Sequence, residues 1–178
     1  MNTSHYQAPS FDLSVRRHTL AVIVDNEPGV LARIAGLFSG RGYNIESLTV
    51  SETEHDRHVS RITVVTSGSE KIIDQIKHHL ERLVPVHRVM DLTLEGEALE
   101  RELALVKVEG KGDARVEALR LAAAFGARTI DATLTSFVFE ITGATDEIER
   151  FIKVMMAVGL VEVSRTGIAA MGRGPGSM

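Results

Sequence analysis

The chain reads as an α+β protein made of two successive βαββαβ units, and three observations predict this. Short β-branched runs alternate with stretches whose apolar residues recur every three to four positions. The order strand, helix, strand, strand, helix, strand occurs once before residue 95 and again after it. A length of 178 residues fits one domain or two of about 80 residues each, and 44% hydrophobic content suffices for packed cores.

In the first unit, Thr19-Leu20-Ala21-Val22-Ile23-Val24 reads as a buried strand. Asp25-Asn26-Glu27-Pro28-Gly29 follows as a turn, and Val30, Leu31, Ile34, Leu37 and Phe38 then fall at helical spacing. Pro28 suits the first turn of a helix, where its missing N–H costs nothing, and Gly29 lets another molecule approach the backbone. Gly40-Arg41-Gly42 supplies a stop, and Asn44-Ile45-Glu46-Ser47-Leu48-Thr49-Val50 reads as the second strand. After a charged connector, Val59 to Thr66 alternates Ile62 and Val64 with Arg61 and Thr63, the pattern of a half-buried strand. Ile72, Ile73, Ile76, Leu80 and Leu83 give a second helix, and Val84 to Leu94 a fourth strand. The order is that of a ferredoxin-like unit, one antiparallel sheet with both helices on one face.

The second unit repeats the order. Leu103 to Val108 reads as a strand, Asp113 to Phe125 as an alanine-rich helix, and Arg128 to Leu134 and Phe137 to Ile141 as two strands. Ile148, Phe151, Ile152, Met155 and Met156 mark a helix capped by Thr145 or Asp146, and Val158 to Ser164 closes the unit. The expected division is a flexible extension over 1–16, a first domain over 17–95, a second over 96–171 and a flexible tail over 172–178, with a linker at Glu95 to Arg101.

Several function classes fall away. No apolar run approaches the roughly 18 residues of a membrane span, and Met1 to Ser14 lacks the basic start and apolar centre of a signal peptide, so a cytoplasmic location is expected. The absence of cysteine removes disulfides and thiolate chemistry. A net charge of −4 and 4% aromatic residues argue against nucleic acid, and the third strand carries no aromatic residue on which a base would stack. His55, His58, His78 and His79 lack the spacing of a metal site, and they read as solvated surface residues. Gly110-Lys111-Gly112 opens a helix, but the third glycine of a dinucleotide loop would fall at Arg115, so it reads as a tight turn.

What remains is a site without a catalytic group, at the turn before the first helix. Free N–H groups at Gly29 and Val30 and the helix dipole favour a carboxylate, and Asn26 adds a polar side chain. Helix capping by Asn26 is the alternative role for that residue.

The run Asn26-Glu27-Pro28-Gly29-Val30-Leu31, with Gly36-Leu37-Phe38-Ser39 and Arg41-Gly42-Tyr43-Asn44-Ile45-Glu46-Ser47-Leu48, resembles the ACT domain of the acetolactate synthase (acetohydroxyacid synthase) small subunit. The resemblance continues through Ser60-Arg61-Ile62-Thr63, Arg101 to Val108 and Ser164-Arg165-Thr166-Gly167, and covers about His18 to Arg173. It implies a non-catalytic regulatory subunit that carries no cofactor itself. Its catalytic partner holds thiamine diphosphate, magnesium and FAD and makes acetolactate from pyruvate. The resemblance also implies activation of that partner, feedback inhibition by valine, and homodimers paired through ACT domains with effector sites at the interface. The expected effector contacts are Asn26, Gly29, Val30 and Leu31 of one protomer, with Asn44 and Ile45 of its neighbour. A free-standing ACT-type amino-acid sensor acting on another enzyme is the alternative.

Overall fold

A computed structural model describes residues 14–54, 56, 58–94 and 98–176. Expectations for residues 1–13, His55, Arg57, residues 95–97 of the linker, and Ser177 and Met178 lie outside the described residues. The chain divides into two compact units between Leu94 and Glu95, with Ser47–Thr49 grouped in the second.

The first unit runs β1 (Arg16–Asp25), α1 (Val30–Gly40), β2 (Ser47–Glu54), β3 (Val59–Gly68), α2 (Glu70–Glu81) and β4 (Val86–Asp91). Its sheet has the order β2-β3-β1-β4, and β1 pairs antiparallel with both β3 and β4. Leu20, Val22 and Val24 of β1 and Ile62 and Val64 of β3 are buried, as are Ile34 and Phe38 of α1 and Ile73, Ile76 and Leu80 of α2. The helical spacing of these residues aligns one apolar face of each helix.

The second unit runs β5 (Ala98–Glu109), α3 (Asp113–Ala124), β6 (Arg128–Ala132), β7 (Ser136–Gly143), α4 (Thr145–Met156), β8 (Leu160–Arg165) and β9 (Ala169–Gly172). Strands follow the order β6-β7-β5-β8, and β9 adds to the first third of β5. Ala104, Val106, Phe137, Phe139 and Ile141 form one core with Ala118 and Ala122 of α3 and Ile148, Phe151 and Met155 of α4. Phe139 and Phe151 meet edge to face with centroids 6.4 Å apart. Arg165 of β8 bridges the buried Glu102 of β5 and Glu149 of α4, and the bond to Glu102 raises its pKa.

Several boundaries differ from the expected ones. The second strand starts at Ser47 rather than Asn44, because the chain must first leave α1 through Gly42 at φ 70°. The fourth strand is Val86–Asp91, shortened by a turn through Val84 and Pro85. Ala98–Arg101 belongs to β5 rather than to a linker, since Ala98↔Gly172 through Arg101↔Ala169 are paired. Gly172 therefore ends a strand instead of opening a loose tail. Neither expected cap serves α4: Ala144 holds the N-cap position in extended geometry, Thr145 is already helical and its buried Oγ1 is unpartnered, and Asp146 and Glu147 face the dipole from the first turn. On interior strand β3 the expected alternation gives way, with Thr63 and Val65 as buried as their neighbours and Arg61 half-buried. Burial lowers the pKa of the Arg61 guanidinium.

His18 was not singled out by its sequence context. It is 1% exposed, and its Nδ1 lies 2.8 Å from Oδ2 of Asp91, itself fully buried. The other carboxylate oxygen of Asp91 accepts the Thr93 amide at 3.0 Å, while His18 Nε2 has no hydrogen-bond partner among the described residues. This pair ties β1 to the end of β4.

Candidate functional site

The turn between β1 and α1 is built by two residues of fixed conformational preference. Gly29 has φ 89° and ψ −6°, and the Val30 amide donates to the Glu27 carbonyl at 3.3 Å. With proline before that glycine, this is a type II β-turn, in which only glycine sits without strain at the third position. Pro28 therefore stands ahead of the helix, not in its first turn, and Gly29 is the N-cap. No side chain caps the helix, which removes capping as the role of Asn26.

The amide of Val30 is spent within the turn, contrary to expectation. Among the described residues no hydrogen bond within the chain engages the amides of Gly29, Leu31 or Ala32. They leave unsatisfied donors at the positive end of α1, which has no acidic residue in its first turn. The side chains divide in the same way. Val30 is 4% exposed and packs into the core, whereas Leu31 is 43% exposed beside the free amides.

Asn26 is exposed, and its backbone amide donates to the His58 carbonyl at 2.6 Å, which fastens the turn to the start of β3. Among the described residues no hydrogen bond holds its side chain. On its other side Asp25 Oδ1 lies 2.6 Å from His87 Nε2, and the Asp25 amide bonds the Pro85 carbonyl at 2.9 Å. The nearness of His58 and His87 to the turn was invisible in the sequence. Only the pairing Asp25↔Val59 and the β1–β4 ladder bring them there.

Asn44 and Ile45 lie elsewhere. The Asn44 carbonyl accepts from Thr66 Oγ1 at 2.7 Å, and the Glu46 amide bonds the Val65 carbonyl at 2.8 Å. Glu46 also hydrogen-bonds Ser67 Oγ and pairs with Arg17 at 3.8 Å, so its role is to fix the chain ahead of β2. Asn26 is anchored beside Val59 and Asn44 beside Thr66, at opposite ends of β3, about 23 Å apart at roughly 3.3 Å per residue. Within one protomer they do not meet.

No group of three or more His, Asp or Glu residues is placed to hold a metal among the described residues. No helix among them is long and apolar enough to cross a membrane.

A βαββαβ unit with exposed backbone donors at its first turn, joined to a second unit of the same order, is the ferredoxin-like arrangement on which ACT domains are built. Residues 20–88 match the family described as the AHAS small subunit-like ACT domain, and residues 101–174 match the small subunit of acetolactate synthase. The chain belongs to the acetolactate synthase small-subunit family. It is 44% identical over 158 residues to a probable acetolactate synthase small subunit of Archaeoglobus fulgidus, covering 89% of this chain and 98% of the relative. It is 42% identical to the acetolactate synthase isozyme 3 small subunit of Salmonella typhimurium, covering 89% and 96%. The crystal structure of the acetolactate synthase small subunit from Thermotoga maritima is similar with a TM-score of 0.83 at 37% identity, covering 90% of this chain and 99% of that one.

Proposed function

We propose that this chain is the non-catalytic regulatory subunit of acetolactate synthase, that it activates a thiamine-diphosphate-dependent catalytic subunit, and that it confers feedback inhibition by valine. The observation that carries the effector half is the set of free amides at Gly29, Leu31 and Ala32 beside the unbonded side chain of Asn26. The valine carboxylate sits on those amides, the Asn26 side chain reaches its carboxylate and amino groups, and Leu31 lines its methyl groups.

Asn44 and Ile45 join this site from a second protomer. Asn26 precedes α1 and Asn44 follows it, so a two-fold contact that runs α1 and β2 antiparallel against their copies brings one protomer's Asn26 to its partner's Asn44. The effector then bridges a homodimer, and inhibition equals its preference for one dimer geometry over another. Thiamine diphosphate, magnesium and FAD belong to the catalytic partner, and the assembly works in the cytoplasm.

Acetolactate formation by the cognate catalytic subunit, assayed alone, with this protein and with added valine, tests the proposal. Stimulation that valine reverses is the expected result. Stimulation that only leucine or isoleucine reverses would keep the subunit role and change the effector. Absence of any stimulation would favour the free-standing sensor.

A further inference from the structure

A second feature of the first unit lies outside the valine site and the catalytic chemistry. A groove of about 680 Å³ runs between α1 and α2, and Arg33, Arg41, Arg82 and His79 line it. The volume falls within the range of small-molecule sites. Arg33, Arg41 and Arg82 are exposed, and among the described residues none of the three has a carboxylate within ion-pair distance. That is unusual on a chain with net charge −4, whose Arg120, Arg128, Arg150 and Arg165 all have acidic partners.

The ends of two helices contribute to the groove, since Arg41 caps α1 and Arg82 caps α2. Each helix C-terminus carries roughly half a negative charge, which accounts for about one of the three positive charges. About two remain unbalanced. Desolvation first, and then the positive charges of Arg41, Arg82 and His78, lower the pKa of His79. The groove is also open at its floor. Among the described residues a Cβ added at Gly36 or Gly40 would meet no atom within 4 Å, so there is room beside that stretch of α1.

We propose that this groove binds a doubly charged phosphate-bearing ligand, a phosphate monoester or a diphosphate. Guanidinium groups present planar pairs of donors matched to phosphate oxygens, and two unbalanced positive charges match a dianion. Leu37 and Leu83, both partly buried on the lining, offer apolar contact to whatever the phosphate is attached to.

Inorganic pyrophosphate is the probe, titrated into the full chain at constant ionic strength by calorimetry and by amide chemical shifts. The expected result is saturable binding of one anion per chain, with shifts centred on Gly36, Gly40 and His79. Affinity should fall roughly tenfold for each guanidinium removed in Arg41→Gln and Arg82→Gln, since a bond to a charged group is lost each time. Because both side chains are exposed, thermal stability reports independently that the variants fold, and valine binding should be unchanged in them. Non-saturable shifts that chloride reproduces, unchanged affinity in the double variant, or shifts centred on the Pro28 turn would each overturn the proposal. Malonate binding as tightly as pyrophosphate would overturn the phosphate class. An acidic peptide that displaces pyrophosphate at lower concentration would reassign the groove to a protein partner.

Discussion

Replacing Asn26 with alanine should separate ligand affinity from stability. The side chain is exposed and makes no hydrogen bond among the described residues, and the N-cap position belongs to Gly29, so truncation removes no contact described there that holds the fold. The backbone bond from Asn26 to the His58 carbonyl survives the substitution. The melting temperature is therefore expected to match wild type, in contrast to the loss of about 0.5–2 kcal/mol that follows removal of a true cap. Binding should respond strongly. A hydrogen bond to a charged ligand group contributes about 1.5–3 kcal/mol, which corresponds to roughly 10- to 100-fold in affinity. Calorimetric titration of valine into the purified protein measures the affinity, and the valine concentration that half-inhibits the reconstituted enzyme should rise in parallel. Equal valine affinity in Asn26→Ala and wild type would refute the ligand role of this residue.

Gly29→Ala should lower stability by about 1–2 kcal/mol, measured by urea unfolding, because an L-residue is strained at φ 89° although its Cβ would meet no atom. Gly159→Ala should cost more, at least about 2 kcal/mol in the same assay, since φ is 103° and the new Cβ would fall 2.0 Å from the Glu109 carbonyl oxygen at the end of β5. His18→Ala should destabilise the chain by about 3–5 kcal/mol through the buried Asp91 carboxylate it leaves without its partner, read as a lower urea midpoint. His79 should titrate below the usual histidine range in an NMR pH series, and Arg41→Gln with Arg82→Gln should move it upward. A depressed imidazole favours the neutral form in the folded state, so its contribution to stability is present above the unfolded pKa and declines as pH falls through the folded one.

Most helices and strands were legible because their apolar residues are local and periodic. Ile34 and Phe38 or Ile73, Ile76 and Leu80 define a helix face whatever lies elsewhere in the chain. The turn was legible in part. Pro28-Gly29 carries the signature of a type II turn, but the helix start it imposes decides which of Val30 and Leu31 faces the core. Adjacent helical residues point about 100° apart, so a shift of one residue exchanges a core side chain for an exposed one. Contacts distant in sequence left no local trace. His18 and Asp91 are 73 positions apart, and nothing near either predicts the other. The strand Ala169–Gly172 is four residues long without alternation, and only its pairing with Ala98–Arg101 makes it a strand. The arginine groove has no local sequence signature for the same reason, because Arg33, Arg41 and Arg82 converge only when α1 and α2 pack.

The pairing of β9 with the start of β5 brings the polypeptide's point of entry into the second unit beside its point of exit. Ala98 and Gly172 face each other across the ladder, about 5 Å apart. A short bridge between these positions, with new termini opened in the exposed turn at Thr133-Leu134-Thr135, would leave every strand pairing of this unit in place. The unit is thus topologically a ring closed by hydrogen bonds, the arrangement that circular permutation requires.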